Sequence, residues 1–278
     1  MISHVRYATQ GEPRYVNTHP FVRELRGREW VFAHNGDVSA ITRRSEFKLR
    51  YYFPVGGTDS EYAFCCIMDA LRGLGEGINS VIKISEVIWG LANRIGSHGK
   101  FNFLLSNGVY LFAYMNRRRT LYYLLRHPPH KGYARLCDED FEVSLGEIKA
   151  PDEYAALIAT RPLTDEDWRP FELNTLYVFC NGDVILKVDA EGRLMHALSS
   201  TEVEVLSYIR KSPHSVKLKE VSAGIGLSID ETYEIVRGLV ARGFLRQHSK
   251  DRVSANHPEA RFFTEPSRWE IIDTLIVK

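Results

Sequence analysis

The chain has 278 residues, 44% of them hydrophobic and 26% charged, with a net charge of +1. Such a composition is that of an ordinary soluble globular protein, long enough for one large domain or two smaller ones. A net charge this close to zero supplies no global field for nucleic acid or an anionic membrane. No apolar run reaches transmembrane length and no charged-then-apolar leader opens the chain, so no membrane partner is expected. The four cysteines, Cys65, Cys66, Cys137 and Cys180, are not spaced as a disulfide framework. Neither C-x-x-C nor H-E-x-x-H occurs, and no metal or other cofactor is expected. Reduced thiols of this kind point to a cytoplasmic protein.

Strand and helix signals alternate over the first 190 or so residues. Val5 to Ala8 and Trp30 to His34 are short extended runs. Thr58 to Glu61 forms a capping box, in which the Thr hydroxyl accepts from the N–H of Glu61 and the Glu side chain reaches back. The helix that follows places Phe64, Met68 and Leu71 on one face and ends near Gly73. A second helix, from about Ser80 to Ile95, carries the stripe Ile84, Ile88, Leu91 and Ile95, with Gly96 just beyond its end. Phe101–Leu105 and Val109–Tyr114 flank Asn107-Gly108, a type I′ hairpin signal. Leu121–Leu125 and Tyr154–Ala159 are further strands. Leu176–Cys180 and Val184–Val188 flank a second hairpin signal at Asn181-Gly182. Antiparallel strands in two layers with at least two helices imply an α+β sandwich.

The texture changes around residues 190–198, which divides the chain into units of 1–192 and 193–278. Ser200–Lys211 reads as a helix with Val203, Leu206 and Ile209 or Tyr208 inward. Leu218–Ile225 is a short helix broken at Gly226. Ser228, with Glu231 three residues on, caps a third helix that runs to Arg242. Phe244–Arg246 and Arg261–Phe263 bracket a polar loop. Three helices followed by a hairpin make a winged helix-turn-helix.

Four residues in the first unit carry the candidate chemistry. Arg6 follows an apolar position in a short strand, where a fixed guanidinium can hold an α-carboxylate with two hydrogen bonds; alone, it is first of all a surface arginine in a salt bridge. Asn35-Gly36 is, by itself, a turn. It is also an oxyanion hole in waiting, with a side-chain amide and a glycine N–H as two donors for a developing negative charge. Asp59 lies in the first turn of a helix, where any carboxylate is favoured, and where it can also receive a substrate ammonium.

Together they mean more. His4-Val5-Arg6-Tyr7-Ala8-Thr9, Asn17-Thr18-His19-Pro20-Phe21, His34-Asn35-Gly36 and Gly57-Thr58-Asp59-Ser60-Glu61 occur in that order, with Asn102-Phe103-Leu104-Leu105-Ser106-Asn107-Gly108 later. Residues 1–190 resemble the class II glutamine amidotransferases, in the stand-alone branch of that family. The resemblance implies a four-layer α-β-β-α sandwich of the N-terminal-nucleophile type. It implies Arg6 as the holder of the glutamine carboxylate, Asn35 and Gly36 as the oxyanion pair, and Asp59 as the receiver of the α-ammonium. Thr9 and His19 take supporting roles in substrate binding. In the family, an N-terminal cysteine attacks the side-chain amide, its own α-amino group acts as base, ammonia leaves, and water resolves a glutamyl thioester.

The sequence departs from the family at the nucleophile. The cysteine and the opening strands of the family precede the H-x-R-x-A-T motif, whereas in this chain five residues precede Arg6. Removal of Met1 exposes Ile2, and Ser3 has no free amine. The four cysteines read as buried small hydrophobes. One reading is that a longer native protein begins Met-Cys and the sandwich of residues 1–192 is N-terminally incomplete. The other is a domain that binds glutamine or a γ-glutamyl compound without chemistry and signals occupancy to the winged helix. No synthetase segment is evident, so ammonia passes to a protein partner or hydrolysis is the whole reaction.

Winged helices often bind DNA through the third helix. The wing loop carries Arg246, His248, Lys250 and Arg252, but the third helix opens with Asp230, Glu231 and then Glu234. From Met195 to Lys278, 12 Lys and Arg stand against 11 Asp and Glu, a net of +1. Phosphate affinity needs several cations. A protein-interaction or dimerisation role is therefore favoured over DNA binding, and a winged-helix transcription factor is the remaining alternative.

Overall fold

The structure is a computed structural model, and it describes residues 1–4, 14–118, 120–137, 142–150, 153–196, 198–248 and 254–276. The expected strand at Val5–Ala8, with Arg6 and Thr9, lies outside these residues, as do Lys250 and Arg252. Strands β1 (Phe21–Leu25) and β2 (Arg28–Asp37) form a hairpin, followed by helices α1 (Asp59–Gly73) and α2 (Val81–Gly96). Next come β3 (Lys100–Ser106), β4 (Leu111–Met115), β5 (Tyr122–Arg126), β6 (Tyr133–Arg135), β7 (Glu142–Ser144) and the one-turn α3 (Leu145–Ile148). Then follow β8 (Ala155–Ala159), β9 (Arg169–Pro170), β10 (Thr175–Cys180), β11 (Asp183–Val188) and β12 (Leu194–His196). The C-terminal part runs α4 (Ser200–Lys211), β13 (Val216–Lys217), α5 (Leu218–Ile225), α6 (Ile229–Ala241), β14 (Leu245–Gln247), β15 (Arg261–Thr264) and α7 (Trp269–Ile276).

Seven antiparallel strands pair in the order β1-β2-β3-β4-β10-β11-β12, and a second sheet has the order β8-β5-β9. The alternation of side chains along the central strands explains the layers. Phe112 and Tyr114 of β4, with Leu176 and Val178 of β10, join the core beneath α1 and α2. Their neighbours Ala113, Met115, Tyr177 and Phe179 face the other way, into a second core closed by Leu121, Tyr123 and Phe171. Every residue of β10 is buried, as a strand covered on both faces requires. Helices, large sheet and small sheet thus stack as the α-β-β part of an α+β sandwich. Phe32 of β2 stacks flat on Phe64 of α1 at 5.1 Å, which docks the helix over the strand that carries Asn35.

Helix α1 also organises the loop before it. The Thr58 hydroxyl accepts from Glu61 N–H at 3.2 Å, as the sequence suggests, but the other half of the capping box does not form. Glu61 is buried and turns away. Its carboxylate accepts from the N–H groups of Val55 (2.9 Å) and Gly56 (2.7 Å) and pairs with Arg23 of β1 at 2.5 Å. Two turns on, Asp69 accepts from the N–H groups of Arg50, Tyr51 and Tyr52. A loop without a ladder of its own must satisfy its N–H groups somewhere, and this one uses two helix carboxylates.

Other expectations need correction. Gly96 is the last residue of α2 rather than the residue past its end, and Ser97 caps it in a right-handed conformation. Asn107-Gly108 is not a type I′ turn. Only Gly108 has a positive φ (83°), and Asn107 Oδ1 accepts from the N–H groups of Val109 and Tyr110, so a longer loop delays β4 to Leu111. Asn181-Gly182 does have both φ values positive, 49° and 75°, as a type I′ turn requires. In α4, Leu206 and Ile209 are buried as expected, but the third buried residue is Val205, with Val203 half-buried at the edge of the stripe. Cys65, Cys66 and Cys180 are buried, but Cys137 is exposed. Burial pushes the Cys65 thiol up to about 11 and that of Cys66 to about 12, so neither is a nucleophile at neutral pH.

The C-terminal part is a winged helix-turn-helix. Helix α5 ends at Gly226 in the left-handed conformation, and the Ser228–Glu231 capping box opens α6 with both bonds made. Strand β13 pairs with β15, and β15 with β14. Neither β13 nor α7 is evident in the sequence pattern: a two-residue strand has no period to detect, and α7 follows the wing too closely to stand apart from it.

Glu61→Gln should destabilise the fold by about 2–4 kcal/mol in urea unfolding, because the amide loses the charge facing Arg23 and presents an NH2 to a backbone donor. A loss below about 0.5 kcal/mol, the range of ordinary surface changes, would refute the anchoring role.

Candidate functional site

Strand β2 ends with the segment of interest. The pairing of β2 with β3 sets Asn35 opposite Asn102 and Asp37 opposite Lys100. Asn35 is half-buried and Gly36 is exposed, on the same rim. The Lys100 ammonium donates to Asn35 Oδ1 at 2.5 Å. An ammonium only donates, so the carbamoyl oxygen must face it. The Asn35 amide NH2 is thereby turned the other way, as a donor. Burial lowers the pKa of Lys100.

Gly36 is required sterically. A Cβ there would lie 1.8 Å from the carbonyl oxygen of Lys100 and 2.6 Å from His34 Nε2. Backbone and ring pack against it too closely for any side chain.

His34 sits beneath, 2% exposed. Its Nε2 lies 3.1 Å from the Lys100 carbonyl oxygen, which only accepts, so Nε2 carries the proton. Nδ1 then accepts from the Ser60 hydroxyl at 2.9 Å. Burial drops the His34 pKa to about 4, and the ring is neutral at physiological pH. The hydroxyl's single proton goes to His34, and the backbone N–H of Ser60 donates to Asp59 Oδ1 at 2.8 Å. A continuous polar chain therefore runs from Asp59 through Ser60 and His34 to Lys100 and Asn35.

Asp59 is 9% exposed, in the first turn of α1. Its Oδ2 accepts from Val38 N–H at 2.6 Å and its Oδ1 from Ser60 N–H at 2.8 Å. The bond to Val38 fixes the carboxylate against the backbone just past Asn35-Gly36. Two bonds leave a carboxylate with acceptor capacity for a ligand cation.

The Asn17–Phe21 motif and His4 join the same cluster. Asn17 is 4% exposed, and its Oδ1 accepts from Gly57 N–H at 2.9 Å. A Cβ on Gly56 would meet that oxygen at 2.2 Å. His19, 9% exposed, lies between His4 (ring centroids 4.2 Å) and Phe21 (4.6 Å). Of the residues singled out in the sequence, Asn35, Gly36, Asp59 and His19 are thus gathered, while Arg6 and Thr9 lie outside the described residues. Lys100, Ser60 and His34 join the polar chain without having been singled out from the sequence. Ser60 and His34 stand inside the motifs and could be found there; Lys100 reaches Asn35 only through strand pairing.

His34 gives the site a pH signature. Its folded pKa lies below its unfolded value of about 6.5, so the unfolded chain takes up the proton first. Stability is intact above pH 6.5 and falls as the pH drops towards about 4, by as much as about 3 kcal/mol. Urea unfolding across that window should show proton uptake of roughly one, centred near pH 5, and His34→Gln should remove it. An identical pH slope in the variant would count against a neutral buried His34.

Comparison with known proteins places this geometry. The family model described as "Glutamine amidotransferases class-II" matches residues 1–203, and "IclR helix-turn-helix domain" matches residues 203–249. An uncharacterized protein of Methanocaldococcus jannaschii is 37% identical over 98% of this chain and 76% of its own length. An inferred glutamine amidotransferase of Haemophilus influenzae is 36% identical over 68% of this chain and 62% of its own. The crystal structure of a predicted glutamine amidotransferase from Pseudomonas aeruginosa aligns with a TM-score of 0.51 at 36% identity, covering 61% of this chain and 65% of that one. The chain thus spans a little less than two thirds of the latter two proteins. It belongs to the class II glutamine amidotransferases, with a helix-turn-helix unit of the IclR type towards its C-terminus.

Proposed function

We propose that residues 1–192 bind glutamine, or a related γ-glutamyl amide, as a glutamine amidotransferase or amidohydrolase, and that residues 193–278 are an interaction module. The observation that carries this reading is the fixed Asp59 carboxylate, tied through Val38 to the strand end that presents Asn35 and Gly36. In the proposed binding mode Asp59 receives the substrate α-ammonium and Arg6 its α-carboxylate, with Thr9 and His19 supporting. The Asn35 NH2, aimed by Lys100, and the Gly36 N–H face the amide oxygen as it takes up charge. Neutral His34 serves to hold this arrangement without adding a competing charge.

The chemistry belongs to a form of the protein whose first residue is cysteine. Its thiol attacks the γ-carboxamide carbon, the α-amino group takes the thiol proton and delivers it to the leaving ammonia, and water releases glutamate from the thioester. Ammonia goes to a protein partner, or hydrolysis is the complete reaction. Four free cysteines fit a reducing, cytoplasmic setting. Among the described residues no helix is long and apolar enough to cross a membrane.

For the winged helix, two observations favour protein contact over DNA. The outer face of α6 exposes Asp230, Glu231 and Glu234. Along the same side, one and two turns beyond Glu234, the helix leans on the amidotransferase unit: a Cβ on Gly238 would lie 3.4 Å from the Tyr154 hydroxyl, and Arg242 pairs with Asp183 of β11. A helix with an acidic outer face and an occupied flank is poorly suited to a major groove.

Calorimetry with glutamine should give saturable heat, weakened about 10- to 100-fold by Asp59→Asn, since a hydrogen bond to a charged group is worth about 1.5–3 kcal/mol. In a Cys-initiated form, Asn35→Ala should lower glutaminase kcat by about 10²–10³. No heat with glutamine or γ-glutamyl peptides, together with no turnover in the Cys-initiated form, would overturn the reading. Duplex DNA should not be retained even at low salt; salt-dependent binding whose slope falls on replacement of Arg252 would instead restore the transcription-factor alternative.

A further inference from the structure

Two guanidinium groups are buried where the C-terminal unit meets the amidotransferase sheet, and they are treated differently. Arg242, 6% exposed, pairs with Asp183 at 3.3 Å and with Glu202. This is what a structural buried cation requires, because an uncompensated one is strongly unfavourable. Arg268, 4% exposed, has no carboxylate partner among the described residues. Its Nη2 meets the Cys180 sulfur, and the Tyr110 ring centroid lies 5.0 Å from its guanidinium carbon. Its Nε and Nη1 are buried with no hydrogen-bond partner among the described residues. Glu265, which borders the same cavity, pairs with Arg246.

Arg268 lines a cavity of about 430 Å³, together with Asn181, Gly243, Leu245 and Gln247. Arg246 and Glu265 also border it. Those three charged groups leave the lining at a net +1. Asn181 adds a second donor, for its Nδ2 is the atom that a Cβ on Gly243 would meet at 2.5 Å. A polar-donor cavity of this size between two structural units has the features of a small-molecule site.

We propose that this cavity binds a small anion, a carboxylate or phosphoryl group on a low-molecular-weight ligand, with Arg268 as its charge partner. Asn181 comes from the β10–β11 turn, whereas Gly243 and Arg268 come from the C-terminal unit, so the occupant holds the two units together. The proposal is independent of the reading of the Asn35 site.

Thermal unfolding of the full chain, titrated with inorganic phosphate and separately with glutamate, tests it. A saturable rise in Tm of about 5 °C at a hundredfold excess over Kd is expected, lost in Arg268→Gln. Asn181→Asp keeps Arg268, and aspartate tolerates the left-handed backbone there; it should weaken the response about tenfold by placing a like charge at the cavity. A response to phosphate alone identifies a phosphoryl ligand, and one to glutamate alone a carboxylate. No saturable shift with either probe at tens of millimolar, or an equal shift in wild type and both variants, would overturn the proposal.

Discussion

The first turn of α1 is the constraint on which the rest of the site depends. Besides Ser60, which donates to His34, three polar side chains do three separate jobs within four residues. Thr58 caps the helix, Asp59 reaches across to β2, and Glu61 reaches back to the loop and to β1. The loop that delivers Gly56 and Gly57 has no ladder of its own, and the Glu61 carboxylate takes the part-buried N–H groups of Val55 and Gly56. Because Asn17 also binds Gly57, the loop carries that order on to the cis His19-Pro20 segment and the His4–His19 contact. Three motifs that are apart in sequence, together with His4, are thereby gathered into one cluster.

Charge is handled in two ways in this molecule. Around Asn35 the polar groups form a directed chain in which each donor meets an acceptor and the one titratable ring is kept neutral by burial. Such a chain holds geometry by directed bonds, with the Asp59 carboxylate at one end and the Lys100 ammonium at the other. At the junction with the winged helix, the molecule sets opposite charges directly against each other. Burial raises the Asp183 pKa and lowers that of His127, which lies 3.5 Å away, while Arg242 offsets the carboxylate. The first arrangement suits a rim where a substrate must find fixed donors; the second suits a joint that must not slide.

The motifs make much of this legible. Period-two and period-3.6 patterning places α1, α2, the β10–β11 hairpin and α4 to α6 within a residue or two, because each is a long amphipathic segment with a clear cap or turn. Local chemistry with competing partners is what the pattern does not reveal. Glu61 has the spacing to close its own capping box, but the loop N–H groups and Arg23 hold its carboxylate instead. Asn107 has the sequence of a left-handed turn, but its side chain bonds Val109 and Tyr110. Lys100 cannot be found from its neighbours in sequence, since it meets Asn35 across the β2–β3 pairing. The gathering of Asn35, Gly36 and Asp59 is legible because their motifs stand in fixed order.

The Arg242–Asp183 contact also bears on how such a protein can be rearranged. Winged helices are commonly treated as modules that shuffle freely between unrelated partners. In this chain the residue that ends the recognition-type helix is a cation that needs an acceptor on the β11 strand of a different unit. Grafting this winged helix onto another enzyme would leave that cation with Glu202 of α4 alone unless the host sheet offered a second carboxylate at the corresponding hairpin. The two units are therefore expected to be inherited as a matched pair, with changes at residue 183 constrained by residue 242.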